Sequence, residues 1–155
     1  MPVEIERAHA ATPEVQELVG ELERTLVKHY ADDQRHGLSV DRLFAPGVRF
    51  FIARVDGAAV GCGGLALVPG CAEVKRMYTR PALRGRGVAM ALLERIEAEA
   101  RAAGAAALLL ETGVFQQEAI RLYERNGFRR RGPFGHYAEM PARATELSLF
   151  YEKPL

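Results

Sequence analysis

The sequence lacks the features that mark secreted, membrane-spanning and metal-binding proteins. It contains no tryptophan and only two cysteines, Cys62 and Cys71, which supply neither a disulfide framework nor the spacing of a metal site. Its apolar runs are shorter than the roughly 20 residues that a transmembrane helix needs. The N-terminus has no signal-peptide pattern. We therefore expect a cytoplasmic protein with no bound metal and no membrane partner.

The chain also lacks an excess of charge of either sign. Its 21 Lys and Arg residues nearly balance 20 Asp and Glu residues, which leaves a net charge of +1. This balance predicts no long-range attraction to nucleic acid or to a membrane, so we interpret the basic triplet at 129–131 as a solvated strand end. The length of 155 residues and the ordinary apolar content predict one domain over residues 1–155.

The stretch Arg-Gly-Arg-Gly-Val-Ala at 84–89 is the most informative part of the chain. It follows an alternating apolar run over 72–78 and opens a run of helical period that ends at Gly104. The order is therefore strand, glycine-rich elbow and helix. Free N–H groups and the dipole at a helix N-terminus attract anions, and glycines let a phosphate approach the backbone. Arg84 and Arg86 add charge suited to phosphate.

Two kinds of phosphate ligand compete for this elbow. A dinucleotide fingerprint needs Gly-x-Gly-x-x-Gly with an acidic residue after the next strand, and Gly85, Gly87 and Glu111 fit it. However, Met90 stands at the third glycine position, and hairpin-like strands rather than a βαβ unit lie upstream. The dinucleotide interpretation is therefore the weaker one.

The other interpretation is a resemblance to a known family. Arg-x-x-Gly-x-Ala at 84–89, after a strand and before a helix, resembles the acetyl-coenzyme A pyrophosphate loop of the GNAT N-acetyltransferases. A second block is similar to the next strand and helix of that family: Leu-Glu-Thr-Gly at 110–113, then Ala-Ile-Arg-Leu-Tyr-Glu-Arg-Asn-Gly-Phe at 119–128. The two blocks and the preceding strand cover the central third to half of the chain. The resemblance implies acetyl-CoA as the co-substrate.

The pattern of the remaining chain agrees with that fold. Thr12-Pro13 predicts the start of a helix that ends near Tyr30. We predict an α/β protein with a mixed sheet of six to seven strands, an antiparallel N-terminal meander and a GNAT-like acyl-CoA N-acyltransferase fold. The predicted strands are 2–7, 48–55, 58–68, 71–78, 105–111, 128–131 and 145–152, the last of which closes the sheet. The predicted core is Leu22, Phe51, Val60, Val74, Leu92, Ile96, Leu109, Leu122 and Phe128.

The resemblance implies roles for particular residues. Glu73 corresponds to the general base of the histone-acetylating branch, while the residues alone also allow a salt bridge with Lys75 on the same strand face. Tyr123 corresponds to the acid that protonates the leaving thiolate, or is a core tyrosine with a satisfied hydroxyl. The residues implied to bind the cofactor are Met77, Tyr78 and Thr79 along the pantetheine arm, Arg84, Gly85, Arg86, Gly87, Val88 and Ala89 at the pyrophosphate, and Gln116 where the family often has Asn.

Other residues are weaker candidates. Cys62 or Cys71 would need an adjacent base to carry an acyl group, and a buried thiol is the simpler interpretation. A metal site at His29, Asp32 or Asp33, and His36 requires the first helix to continue past Tyr30. His136 and Tyr137 lie in a late loop, where they contact substrate or a partner subunit or simply belong to a turn.

Taken together, the residues and the resemblance predict an N-acetyltransferase. It would move an acetyl group from acetyl-CoA to a primary amine of a small molecule, or to a protein amine, by direct attack in a ternary complex. The alternative is a catalytically silent acyl-CoA-binding sensor or interaction module. Dimers are common in similar proteins, so a homodimer is one expected assembly. The acceptor stays open, because the parts that form its pocket in this family resemble it least.

Overall fold

The computed structural model describes residues 2–155. Within that range the strands are β1 (Glu4–Ala8), β2 (Val48–Val55), β3 (Ala58–Val68), β4 (Cys71–Thr79), β5 (Ala107–Gly113), β6 (Arg129–Arg131) and β7 (Ser148–Pro154). The α-helices are α1 (Pro13–Leu26), α2 (Val88–Ala102), α3 (Gln117–Arg125) and the short α4 (Ala142–Thr145). The strands form one mixed sheet in the order β1-β2-β3-β4-β5-β7-β6. None of the helices in residues 2–155 is long and apolar enough to cross a membrane.

The N-terminal half of the sheet is the predicted antiparallel meander. β1 pairs with β2, β2 with β3 and β3 with β4, all antiparallel. Asp56 and Gly57 join β2 to β3 with φ values of 50° and 81°. Two consecutive positive φ values define the type I′ turn, whose twist matches that of the flanking strands. The Asp-Gly pair therefore sets the hairpin that starts the meander.

β4, α2 and β5 form a parallel crossover unit. The two strands pair only at their first residues, Ala72 with Leu108 and Glu73 with Leu109. Beyond Glu73 and Leu109 the two strands, which lie wholly within residues 2–155, form no further backbone pairs with each other. β4 stays paired with β3, and β5 stays paired with β7. The sheet therefore opens into a cleft between β4 and β5, and Glu73 lies at its closed end.

A bulge interrupts β4 beside this cleft. The register jumps from the pair Cys62–Tyr78 to the pair Gly64–Lys75, so that Arg76 and Met77 both oppose Gly63. Arg76 has a φ of 54°, which non-glycine residues seldom adopt. A Cβ on Gly63 would collide with the Met77 sulfur. Gly63 of β3 thus marks both a bulge and a close approach of a side chain.

Apolar side chains pack on both faces of the sheet. α2 and α3 cover one face around Phe51, Leu92 and Ile96, and α1 covers the other around Leu18 and Phe50. Eight of the nine predicted core residues are at most 8% exposed. The ninth, Leu122, is partly buried at the edge of the first cluster.

Some predicted element ends are wrong, for reasons that lie outside the local sequence. α1 ends at Leu26, and the hydroxyl of Tyr30 instead donates to Gln116 (2.8 Å) and accepts from the Phe115 amide (3.0 Å). β7 begins at Ser148 because residues 142–145 form α4. It also lies inside the sheet, so β6 rather than β7 is the edge strand. Contacts between residues far apart in the chain leave no trace in hydrophobic periodicity.

Replacing Ile96 with Ala tests the main core. Ile96 is fully buried between α2 and the sheet, so we expect the Ile96→Ala variant to lose about 2–5 kcal/mol of unfolding free energy. Urea unfolding followed by circular dichroism measures the loss. The control is Val27→Ala, at a side chain that is 52% exposed, which we expect to change stability by less than about 0.5 kcal/mol. Equal losses in the two variants would contradict this description of the core.

Candidate active site

The elbow at residues 84–89 forms an exposed N-terminus for α2. Gly85 and Gly87 have φ values of 74° and 84°, which explains why glycine occupies both positions. Gly87 is the N-cap residue and offers no side chain to the first turn of α2. The N–H groups of that turn are therefore available to an anion. A Cβ at either glycine would meet no atom within 4 Å, so the space in front of the backbone is open.

Two arginines add positive charge to the elbow. Arg84 and Arg86 are both exposed, and Arg84 Nε donates to the Thr79 carbonyl at 3.2 Å. That bond ties the guanidinium to the end of β4. Val88 is buried and Ala89 half-buried, so the helix start is anchored while the loop before it stays accessible. The elbow has the geometry and charge for a phosphate or pyrophosphate group.

A cavity of about 130 Å³ occupies the cleft between β4 and β5. Its walls come from α1 and the loop after it, from both strands, from α3 and from the late turn at 135–139. The titratable and hydrogen-bonding side chains among its lining residues include Tyr30, His36, Glu73, Lys75, Glu111, Gln116, Tyr123 and Tyr137.

Glu73 belongs to a buried network at the closed end of the cleft. Glu73 and Lys75 are 4% and 8% exposed, and Lys75 Nζ lies 2.8 Å from Glu73 Oε2. The Tyr137 hydroxyl donates to the same oxygen at 2.7 Å and accepts from Lys75 Nζ at 2.9 Å. The salt bridge allowed by the sequence is therefore present. Despite this salt bridge, Glu73 still lines the cavity.

A second carboxyl group, Glu111, reaches the same cavity from β5. The Ser148 hydroxyl donates to Glu111 Oε2 at 2.6 Å. Burial raises the pKa of Glu111 and the negative charge of Glu73 adds to the rise, whereas the Ser148 hydrogen bond and the positive charges of His36 and Lys75 oppose it. The sequence analysis considered Glu111 only as part of a dinucleotide fingerprint. Its place two residues before the end of β5 was the signal that it could face the cleft.

Tyr123 reaches the cavity from α3. It is 5% exposed, and its ring packs edge-on against Phe128 at 5.5 Å between centroids. Burial raises the pKa of Tyr123 well above its usual range, and the charge of Glu111 adds to the rise. The phenol therefore keeps its proton at neutral pH and can act as a hydrogen-bond donor in the cavity.

The other predicted cofactor-binding residues are spread along the cleft. Met77 and Gln116 line the cavity, and Gln116 accepts the hydrogen bond from Tyr30. Tyr78 points to the opposite face, where its hydroxyl donates to Glu21 at 3.1 Å, so only its backbone borders the cleft side. Thr79 ends β4, and its carbonyl holds Arg84. The structure thus brings Glu73, Met77, Gln116 and Tyr123 to one cavity, with the elbow beyond the open end of β4.

Two loops distant in sequence meet over the cleft. Gln34 donates to Glu146 at 2.9 Å, and His36 Nε2 lies 2.6 Å from the Ala144 carbonyl. On the α1 side, Arg76 pairs with Glu23 and donates to the Leu38 carbonyl at 2.9 Å. Arg76 was missed in the sequence analysis, because only the bulge turns its side chain toward these partners. These contacts hold the loop after α1 across the mouth of the cleft.

The candidate metal ligands His29, Asp32 or Asp33, and His36 do not share a helix face, because α1 ends at Leu26. Asp32 pairs with Arg35, Asp33 with Arg143, and His36 contacts a carbonyl. Across residues 2–155, no three His, Cys, Asp or Glu side chains are grouped as a metal site would require.

The two cysteines are free thiols. Cys62 is buried and its thiol donates to the Arg76 carbonyl at 3.4 Å. Burial raises the pKa of Cys62 to about 12. Because the thiolate is the nucleophilic form, this residue is poorly suited to carry an acyl group.

Comparison with known proteins identifies the family. The acetyltransferase (GNAT) family matches residues 13–128. An IAA acetyltransferase from Azospirillum brasilense is 48% identical over 155 residues, covering 99% of this chain and 98% of that protein. The uncharacterized N-acetyltransferase YsnE from Bacillus subtilis is 36% identical over 68% of this chain and 72% of its own length. The chain therefore belongs to the GNAT family of acetyltransferases, and the resemblance noted in its sequence is confirmed.

Solved structures show the same fold. A protein from Klebsiella pneumoniae described as an acyl-CoA N-acyltransferase aligns with a TM-score of 0.79 at 33% identity, covering 99% of this chain and 97% of that one. The PaiA N-acetyltransferase from Thermoplasma acidophilum, in complex with coenzyme A, aligns over both full chains with a TM-score of 0.77. Its identity is 19%, so this second likeness concerns the fold alone. The predicted α/β fold with seven strands is confirmed.

The raised pKa of Glu111 predicts a pH dependence of stability that can be measured without substrate. A pKa raised by folding means that ionisation of Glu111 costs stability, so its contribution is favourable at low pH and is lost as the pH rises through the folded-state pKa. Glu111→Gln keeps an acceptor for Ser148 and removes this titration. We expect the variant to melt above the wild type at pH 8 and to lose that advantage toward pH 4.

Differential scanning fluorimetry across this pH range makes the comparison. Glu94→Gln, at an exposed carboxylate on α2, is the matched control and should follow the wild type. A Glu111→Gln variant that is equally destabilised at both ends of the range would contradict the assignment.

Proposed function

We propose that this member of the GNAT family is an N-acetyltransferase that moves the acetyl group of acetyl-CoA to a primary amine of a small molecule. The observation that carries the proposal is the cleft where β4 and β5 separate. It has a carboxylate at its closed end, Glu73, and a protonated phenol on another wall, Tyr123. A phosphate-binding elbow follows the open end of β4. Acetyl transfer from a thioester to an amine needs a base for the amine, a proton donor for the leaving thiolate and a binding site for CoA, and these three features would supply them.

Acetyl-CoA would bind with its pyrophosphate on the elbow. The uncapped N–H groups of α2 and the charges of Arg84 and Arg86 fit a pyrophosphate, and the open space at Gly85 and Gly87 lets it approach the backbone. PaiA N-acetyltransferase, which has the same fold, was solved in complex with coenzyme A, and this supports acetyl-CoA as the co-substrate.

The pantetheine arm would lie along Met77, Tyr78 and Thr79. This edge of β4 faces the cleft and has lost its pairing with β5. Its backbone N–H and C=O groups therefore need partners, and the amide groups of the arm can supply them. The bulge at Arg76 and Met77 redirects one part of this edge. An N–H there would donate to the thioester oxygen as negative charge develops on it.

The reaction proceeds by direct attack in a ternary complex. The amine nitrogen attacks the thioester carbonyl carbon, a C–N bond forms, and the C–S bond breaks with release of the CoA thiolate. Glu73 takes the proton that the amine must lose, directly or through a water. As charge develops on the leaving sulfur, Tyr123 donates a hydrogen bond to it and passes on its proton, and the resulting phenolate regains a proton from solvent. The raised pKa of Tyr123 makes this phenol a weaker acid than a thiol, so the hydrogen bond to the developing thiolate carries most of its contribution.

The acceptor would be small. The cavity of about 130 Å³ is closed on one side by the loop after α1 and on the other by the late segment around Tyr137 and Ala144. A relative with 48% identity is named for the acetylation of IAA, which supports a small-molecule acceptor in this chain as well.

The roles of Glu73 and Tyr123 are tested by isosteric substitutions. Release of CoA thiol is measured with a panel of primary amines, over a range of pH. We expect Glu73→Gln to lower kcat/KM by about 10²–10⁴-fold, the usual contribution of a general base. Tyr123→Phe should lower kcat, with little change in the KM for acetyl-CoA. Turnover that is unchanged across pH in both variants would show that the roles are wrongly assigned.

Two control variants match the chemistry of these substitutions. Glu94→Gln changes an exposed carboxylate on α2, and Tyr151→Phe removes a hydroxyl that donates to Glu124 and does not line the cavity. Both should retain wild-type kcat/KM.

The elbow is tested by its affinity for the cofactor. Loss of a charge-assisted phosphate contact costs about 1.5–3 kcal/mol, so Arg86→Ala should weaken acetyl-CoA binding by about tenfold or more in calorimetric titration. Binding of S-acetylpantetheine, which has no pyrophosphate, should not change. Arg129→Ala, at an exposed arginine of β6, is the control. An equal loss for both ligands would place the pyrophosphate elsewhere.

A further inference from the structure

We infer that Tyr137 is a positioning residue for Glu73: it occupies the Oε2 oxygen of the carboxylate and leaves Oε1 to accept the proton of the amine. The inference rests on the proposed role of Glu73 as the base. The sequence placed Tyr137 only in a late loop, with no function distinguished from that of an ordinary turn residue. Its assignment comes from two side chains, those of Lys75 and Tyr137, that meet at one oxygen of Glu73.

The distances define the network. Lys75 Nζ and the Tyr137 hydroxyl lie 2.8 Å and 2.7 Å from Glu73 Oε2. Lys75 Nζ is also 2.9 Å from the Tyr137 hydroxyl. All three contacts are buried, so water does not compete for them, and both contacts to the carboxylate end on Oε2.

The direction of each hydrogen bond follows from the chemistry of the donors. An ammonium group can only donate, so the Tyr137 oxygen must accept from Lys75. Its single proton is then left to point at Glu73. Burial raises the pKa of Tyr137 strongly, and the charge of Glu73 adds to the rise, so the phenol keeps that proton over the working pH range. Glu73 Oε2 thus receives two donors.

Packing makes Tyr137 a rigid donor. The residue is 1% exposed and lies in the turn Gly135–Glu139. Its ring contacts Phe134 and Phe150 at 5.1 and 5.2 Å between centroids, and His36 packs edge-on at 5.6 Å. A tyrosine held in this way has little rotamer freedom, whereas the four-carbon stem of Lys75 is flexible. Tyr137 therefore sets the orientation of the carboxylate, and Lys75 supplies charge.

The pH dependence of the reaction should report this role. The charged and titratable groups around Glu73 are Lys75 on the same strand, Tyr137 from the late turn, Glu111 from β5 and His36 from the loop after α1. Removing the Tyr137 hydroxyl takes away a donor to the ionised carboxylate and leaves the other groups in place. The pKa of Glu73 should then rise, and the acidic limb of the rate profile should move to higher pH.

The experiment is a double-mutant cycle on the full-length protein. The pH profile of kcat/KM is measured for wild type, Tyr137→Phe, Glu73→Gln and the double variant, with an amine that gives thiol release. We expect Tyr137→Phe to lower kcat/KM by about two- to tenfold on the acidic limb, less at high pH, with the KM for acetyl-CoA unchanged. In the Glu73→Gln background the same substitution should have less than about a twofold effect, since there is no carboxylate base left to position.

A second measurement does not depend on turnover. Carbon NMR of protein labelled at the glutamate carboxyl carbons, with the Glu73 signal assigned by its loss in Glu73→Gln, gives the titration midpoint of this residue. The midpoint should be higher in Tyr137→Phe than in the wild type. Tyr151→Phe removes a hydroxyl outside the network and should change neither the midpoint nor the rate profile.

The outcomes separate this inference from the proposed function. If Tyr137→Phe lowers kcat/KM by the same factor at every pH and in both backgrounds, with no change in the NMR midpoint, the residue is structural and the inference is overturned. If Glu73→Gln itself leaves turnover unchanged, the base assignment in the proposed function fails and the positioning role fails with it. A reduced rate in Glu73→Gln together with non-additive effects and a raised midpoint would support both.

Discussion

The loss of pairing between β4 and β5 beyond Glu73 is the constraint on which the candidate site depends. Two neighbouring parallel strands normally satisfy each other's backbone groups along their length, and here they do so at only two pairs of residues. The opened edges leave N–H and C=O groups facing a cavity, where a ligand with amide groups of its own can pair with them. A cofactor arm can therefore complete the sheet. The elbow and α2 follow β4 after a short turn at 80–83, so the freed strand edge and the exposed start of the helix belong to one continuous stretch of chain.

The same opening forces charged side chains into the interior. Glu73, Lys75 and Glu111 lie within a few residues of the point where the strands part, and a buried charge is costly unless it is paired and hydrogen-bonded. Their partners come from the other end of the chain: Tyr137 from the late turn and Ser148 from β7. The insertion of β7 between β5 and β6 thus supports the cleft in two ways. It pairs with β5, and it supplies the hydrogen bond from Ser148 to Glu111. This arrangement explains why the late segment, which has little regular structure, is packed and buried around Tyr137.

Local patterns were enough for much of the fold. The Asp-Gly turn, the alternation of β2 to β4, and the helical period of α1 and α2 each report short-range physics, and the structure has all of them. The elbow was also predicted from the sequence, because glycines that can adopt positive φ and an uncapped helix start are local features. The resemblance to the GNAT family added the positions of Glu73 and Tyr123, which composition and periodicity alone could not distinguish from an ion-paired strand residue and a core tyrosine.

The sequence by itself determined most of the strands, the three long helices, the glycine-rich elbow and the family, since each depends on residues that are close together along the chain. Only the tertiary structure decided what surrounds Glu73. Tyr137 is 64 residues away from it, Tyr30 and Gln116 are separated by 86 residues, and Gln34 and Glu146 by 112. The left-handed backbone of Arg76, which turns its side chain toward α1, likewise follows from the bulge against Gly63. Contacts of this kind arise when the whole chain folds and reach across the cleft, so no local pattern contains them.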